Sequence, residues 1–106
     1  GMRVLEIGCG PGVAARAVCD LLGDGYILGI DRSQKAIALA RRGSASEIAA
    51  GRLAFRCVAA EDFQLPPDQP PFDIAFAMRV GALDGRHPEK GRRALARIEA
   101  ALTPRG

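Results

Sequence analysis

One carboxylate and three glycines near the start of the chain are spaced for ligand binding. The run VLEIGCGPG, Val4 to Gly12, sets Glu6 two residues before Gly8, and Gly10 and Gly12 follow, separated by Cys9 and Pro11. An apolar strand that breaks into glycines and resumes as a helix brings free backbone N–H groups to the C-terminal edge of a parallel sheet. Ligands of open α/β sheets bind at that edge. Glycine permits left-handed backbone angles and lets the chain approach a ligand with no Cβ in the way.

The spacing narrows the ligand. A dinucleotide fingerprint, G-x-G-x-x-G/A, would place its third small residue at position 13, which is Val13. Glu6 also sets a negative charge where a pyrophosphate would lie, which disfavours NAD or FAD. A ligand carrying an ammonium or sulfonium group would instead be attracted by that carboxylate.

Other reactive side chains are few. Cys9 lies inside the glycine loop, but nothing near it in sequence would make it a thiolate, so it reads as a small packing residue. His87, the only histidine, stands in RHPEK at the start of a helix. It could serve as a base, yet a capping or surface role fits it better, and Asp84 in the same loop is read the same way. Neither has a visible partner to orient it.

The elements that must position these residues follow from hydrophobic patterning. MRVLEI is a strand, and VAARAVCDLL after the glycine turn is a helix with Val13, Ala14, Ala17, Val18, Leu21 and Leu22 at helical spacing. Gly23 and Gly25 end it. YILGID is a second strand, and Ser33 is the expected N-cap of QKAIALARR, whose apolar face carries Ala36, Ile37 and Ala40. Gly43 closes that helix, and SASEIAAG is a turn or short helix. LAFRCVA is a third strand with Leu53, Phe55 and Cys57 on one face; Arg56 on the other suits the sheet's edge. PPDQPP, Pro66 to Pro71, must be loop. FDIAFAM is a fourth strand, apolar enough for burial on both faces. A helix from Pro88 to Leu102 buries Ala94, Leu95, Ile98, Ala101 and Leu102. Alternating strands and helices predict an α/β domain with a parallel sheet over residues 1–106.

Composition excludes several classes of function. The chain has 106 residues, 48% hydrophobic and 25% charged, which is the balance of one small globular domain. Its net charge of +3 is mild. Arg16, Arg41, Arg42, Arg92, Arg93 and Arg97 are expected on solvated helix faces, with no aromatic interleaving for base stacking, so nucleic acid is not an expected partner. Three cysteines without a CxxC pair suggest neither a disulfide framework nor a zinc site, and a reducing cytoplasm fits. No signal peptide precedes the first strand, Gly1 reads as an expression scar, and no apolar run is long enough to span a membrane.

VLEIGCGPG resembles motif I of the class I S-adenosylmethionine-dependent methyltransferases: hydrophobic, hydrophobic, acidic, any residue, then Gly-x-Gly-x-Gly. ILGIDRS is similar to the family's second motif, which makes Asp31 the acid that grips both ribose hydroxyls, with Arg32 beside it. Asp31 follows Gly12 by 19 residues, at the tip of the adjacent strand, as a ribose-binding acid requires. AAEDFQLP and FDIAFAM resemble the third and fourth motifs, and ALARIEAALTPRG the helix and turn that lead to a fifth strand. One departure is that Ala59 stands where the commonest third motif has an acid for the adenine amino group. Glu61 and Asp62 are the expected substitutes, with Ala60 giving a backbone bond.

The resemblance implies a Rossmann-like, doubly wound sheet of about four strands ordered 3-2-1-4, flanked by helices and lacking the later strands of the full fold. It implies S-adenosylmethionine as cofactor and S-adenosylhomocysteine as product. Glu6, Gly8, Cys9, Gly10 and Gly12 would hold the methionine part, and Ala77 to Arg79 would face the reacting centre. No NPPY-type sequence points to nucleic-acid bases, so a small-molecule acceptor is expected. The alternative is a noncatalytic cofactor-binding or interaction module that keeps the scaffold. An apolar fourth strand left at the edge would also promote self-association.

Overall fold

The computed structural model describes residues 1–77. Four strands are present among them: β1 (Arg3–Ile7), β2 (Tyr26–Asp31), β3 (Leu53–Cys57) and β4 (Ile74–Ala77). They form one sheet in the order β3-β2-β1-β4, every pair parallel. This is the Rossmann-like order expected from the resemblance. Between the strands lie α1 (Val13–Leu22), α2 (Gln34–Arg42) and α3 (Ala45–Ala49), and a 3-10 turn spans Ala60–Asp62. The expected helix from Pro88 to Leu102, with His87, Asp84 and Arg79, lies outside the described residues.

Alternation along β1 separates two cores. Val4 joins Ala15 and Cys19 of α1, Ile37 and Ala40 of α2, and Ile27, Leu53 and Phe55 of the neighbouring strands. Leu5 and Ile7 join Leu28, Ile30, Ala60, Phe63 and Phe72 on the other face. There the packing comes from the segment between β3 and β4, with the Phe63 and Phe72 rings 6.4 Å apart. The helices thus cover one face, and among the described residues a loop covers the other.

Two local expectations change. Helix α1 buries Ala15 and Cys19, whereas Val13 is 66% and Leu21 86% exposed and Ala17 is also exposed. The small Ala15 and Cys19 face the sheet with Val18 and Leu22 packed beside them, while Val13 and Leu21 fall off the buried face. Strand β4 is also not buried on both faces, because it is the outer strand of the described sheet and Ile74 is 46% exposed. Phe72, expected inside that strand, tucks into the core before it begins, and Asp73 pins the entry by accepting the Arg3 N–H on Oδ2 at 2.8 Å.

Strand β1 begins one residue later and β3 ends two residues earlier than expected, while β2, α1 and α2 have the expected bounds. Ser33 caps α2 by accepting the Ala36 N–H at 3.1 Å, and Gly23, at φ 63°, ends α1. Strand β3 is the edge strand on its side of the sheet. Its Arg56 is exposed and its guanidinium lies 5.6 Å from the Phe63 ring centroid.

Candidate functional site

The C-terminal ends of the strands are drawn together by backbone bonds. The N–H groups of Gly8 and Cys9 both donate to the carbonyl of Ile30, at 2.8 and 3.0 Å, so the exit of β1 is sewn to β2. The Val58 N–H donates to the Asp31 carbonyl at 3.0 Å, which adds the exit of β3. Ala77 is the register partner of Ile7, which adds the tip of β4. Glu6, the glycine loop, Asp31, the turn from Ala60 to Asp62 and Ala77 therefore share one edge, as the spacing of the motifs implied.

Gly8, Gly10 and Gly12 have φ of 71°, 54° and 90°, all in the left-handed region that disfavours side chains. Gly10 and Gly12 nevertheless differ in purpose. A Cβ on Gly10 would meet no atom within 4 Å, so its open side faces unfilled space. One on Gly12 would lie 3.0 Å from both Arg16 Nη1 and Phe55 Cζ, so that glycine makes room for the protein itself.

The loop does not present a row of free donors. Gly8 and Cys9 bond Ile30, Gly10 donates to Asp31 Oδ2 at 2.9 Å, and Gly12 donates to the Cys9 carbonyl at 3.1 Å; Pro11 has no N–H. The expectation of free N–H groups is thus corrected for the loop itself, while the start of α1 has no side-chain cap. Sharp left-handed folding turns these donors inward, and what the loop shares with the sheet edge is carboxylate.

Glu6 is 1% exposed. It lies between Gly29 of β2 and Phe76 of β4, and its Oε1 is buried with no hydrogen-bond partner among the described residues. Burial first, and the nearby Asp31 carboxylate second, push its carboxyl up to about 7. An orphaned buried oxygen beside a second carboxylate is a site short of a donor or a cation.

Asp31 is half-buried at the tip of β2. Its Oδ2 accepts from Gly10 N–H and its Oδ1 from Ser33 N–H, each at 2.9 Å. Each oxygen keeps acceptor capacity for a further donor. Ala60 and Glu61 are buried and Asp62 is exposed in the 3-10 turn, where Asp62 N–H closes on the Ala59 carbonyl at 3.0 Å. Arg32 is exposed beyond β2, and its carbonyl accepts the Cys57 thiol at 3.5 Å.

Cys9 packs against the sheet. It is 5% exposed, and burial, then the charges of Glu6 and Asp31, push its thiol up to about 12. A thiolate nucleophile is thereby disfavoured. Its seat is Gly29, where an added Cβ would lie 2.9 Å from Cys9 Cβ and from Phe55 Cδ1. Sequence reasoning passed over Gly29, although a lone glycine in the apolar strand YILGID signals close packing. It also passed over Arg16, placed on a solvated face. The Arg16 Nη1 donates to the Pro11 carbonyl at 3.2 Å and to the buried Ser44 Oγ at 3.0 Å, bracing the loop from outside.

Among the described residues no group of three or more His, Cys, Asp or Glu could hold a metal ion, and no helix is long and apolar enough to cross a membrane. Among the described residues, a cavity of about 450 Å³ lies over α3 and β3 and another of about 220 Å³ beneath Pro66 and Gln69, both away from the strand tips.

Comparison with known proteins adds the following. A family of methyltransferase domains matches residues 4–106. No curated protein matches the chain. Among solved structures, the [4+2]-cyclase SpnF is 32% identical over 98% of this chain and 36% of its own, with a TM-score of 0.73. An O-methyltransferase from a trans-AT PKS multienzyme of Brevibacillus brevis, solved with S-adenosyl-L-homocysteine, is 17% identical over 96% of this chain and 32% of its own, at TM-score 0.79. The plantazolicin methyltransferase BpumL, also solved with SAH, is 22% identical over 96% of this chain and 35% of its own, at TM-score 0.73. The last two likenesses show the fold. The chain spans roughly a third of the length of these structures.

Proposed function

This chain belongs to the class I S-adenosylmethionine-dependent methyltransferase family, matching its methyltransferase domain, and from that membership we propose that it binds S-adenosylmethionine and donates its methyl group to a small-molecule acceptor. The support is the arrangement of acceptors at the strand tips: the buried, partnerless Oε1 of Glu6 beside Asp31, with the loop donors already consumed. A phosphate-bearing dinucleotide needs donors there, whereas a cationic ligand needs what is present. The open side of Gly10 leaves room for that ligand to approach the backbone.

In this reading Glu6 and the glycine loop hold the methionine part. Asp31 accepts from the two ribose hydroxyls, Arg32 flanks it, and the turn from Ala60 to Asp62 meets the adenine. The cofactor supplies a methyl group already activated by its sulfonium, so the chain's residues contribute mainly position. Ala77, at the tip of β4, faces the reacting side. The chain's cysteines are free in the structure, which suits the cytoplasm proposed for it. The exposed Ile74 on β4 supports self-association through that edge. Sedimentation at several concentrations tests it, and a clean monomer throughout would rule it out.

Calorimetry with S-adenosylmethionine, S-adenosylhomocysteine and NAD tests the binding assignment. Tight NAD binding without a response to S-adenosylhomocysteine would end it. Because one neighbour in fold and sequence is a [4+2]-cyclase, and fold alone does not fix chemistry, transfer needs its own test. The full chain should move a labelled methyl group to a component of a metabolite extract. Binding without any transfer would favour the noncatalytic module.

A further inference from the structure

Two carboxylates of the site, Glu6 and Asp31, act on one another, and among the described residues no hydrogen bond or ion pair links either to a cationic side chain. Glu6 enters from β1 and Asp31 from the tip of β2, close enough for the Asp31 charge to act on Glu6. Among the described residues, the other groups packed around Glu6 are uncharged. Gly29 of β2 and Phe76 of β4 flank it in register, and the Cys9 thiol stays protonated far above neutral pH. Helix α1 turns Ala15, Val18 and Cys19 to this face, and the Arg16 guanidinium is engaged with Pro11 and Ser44. Among the described residues, therefore, nothing compensates an ionised Glu6, and its Oε1 has no donor.

The two ligands of a methyl transfer differ in the feature this site lacks. S-adenosylmethionine carries a fixed positive charge at sulfur, and S-adenosylhomocysteine, one methyl lighter, is a neutral thioether there. Both carry the same ribose, adenine and amino-acid groups. Contacts from Asp31 and the adenine turn treat them alike, so discrimination must come from a group that responds to the sulfur's charge.

We propose that Glu6 is that group: its carboxyl is protonated in the free site, gives its proton to solvent when the sulfonium ligand binds, and takes one back when the neutral product remains. This rests on the proposed cofactor site. The charge balances at each stage. Binding of the cation releases the proton that Glu6 holds, loss of the methyl group removes the positive charge, and a proton from solvent neutralises the stranded carboxylate. Repulsion between Glu6 and Asp31 and the burial of Glu6 both drive that last step. The product is then held by a site that no longer gains from its charge, which favours exchange for fresh cofactor.

The test is calorimetry on the full 106-residue chain with each ligand, from pH 6 to pH 8, in buffers of different ionisation enthalpy. If ionisation of Glu6 near pH 7 limits binding of the cation, the preference for S-adenosylmethionine over S-adenosylhomocysteine rises about tenfold across that range. Near pH 6.5 the cation should release a substantial fraction of a proton per site, and the neutral thioether clearly less. Both ligands carry an amino group that titrates in or above this range, so Glu6→Gln supplies the subtraction. That variant should still bind, with a preference that no longer follows pH beyond the ligands' own titration. The wild-type proton count stands alone if the variant does not fold. Binding of both ligands with a pH-independent ratio and equal proton release overturns the inference and leaves the cofactor site standing. Failure of both ligands to bind at any pH overturns the cofactor site, and the inference with it.

Discussion

The backbone N–H of Gly10 donates to Asp31 Oδ2 at 2.9 Å, joining the glycine loop to the tip of the next strand across 21 residues of sequence. The bond makes Asp31 both a proposed ligand contact and a strut of the loop. Asp31→Ala should therefore weaken S-adenosylhomocysteine binding by about 2–4 kcal/mol, since two charge-assisted bonds are lost and the loop is released. Calorimetry, with circular dichroism to confirm the fold, checks this. An unchanged dissociation constant would reduce Asp31 to a turn residue.

The glycines should separate binding from stability. Gly10→Val places a branched side chain in open space at φ 54°, so it should abolish binding. Gly12→Ala pushes against Arg16, Phe55 and Ala40 and should lower the thermal midpoint first. A Gly10→Val chain that binds normally would place the ligand elsewhere.

Gly29→Ala should destabilise the domain by roughly 1–3 kcal/mol, because its methyl would overlap Cys9 and Phe55. The seat of Cys9 also predicts its reactivity. With iodoacetamide at pH 8, the exposed Cys57 should be alkylated in the folded chain while buried Cys9 and Cys19 are spared. Peptide mass spectrometry reads the sites, and rapid native labelling of Cys9 would contradict the packing.

Stability of the free protein should fall as pH rises from about 4.5 to about 7 at Glu6. The folded carboxyl keeps its proton up to about 7, against an ordinary 4.5. Protonation thus favours the fold below 4.5, and that contribution is lost as pH climbs through 7. The full effect is on the order of 3 kcal/mol at most. Glu6→Gln should flatten this part of the profile. Parallel melting curves of the two proteins over pH 5 to 8 would show no such role for Glu6.

Much of this was legible because the deciding residues are local. Glycines at positions 8, 10 and 12 force a turn wherever the chain goes, and Ser33 caps α2 through its own backbone neighbour. Strand order came from the likeness of whole motifs. What escaped were features set by packing at a distance. In α1 apolar residues lie nearly all round, so periodicity could not tell that Ala15 and Cys19 face the sheet while Leu21 does not. The inward donors of the loop depend on Ile30 and Asp31, which no reading of VLEIGCGPG contains.

The sheet order carries a consequence of its own. With β2 on one side of β1 and β4 on the other, the chain changes its direction of winding at β1, and a crevice opens above that strand. One bank, from Gly8 to Asp62, is fixed by bonds through Ile30, Asp31 and Val58. The other begins at Ala77, the last described residue of β4. On the proposed assignment the cofactor contacts fall on the first bank alone, so chemistry outside it can change without disturbing them. A [4+2]-cyclase and methyltransferases that share this fold are what such a partition would produce.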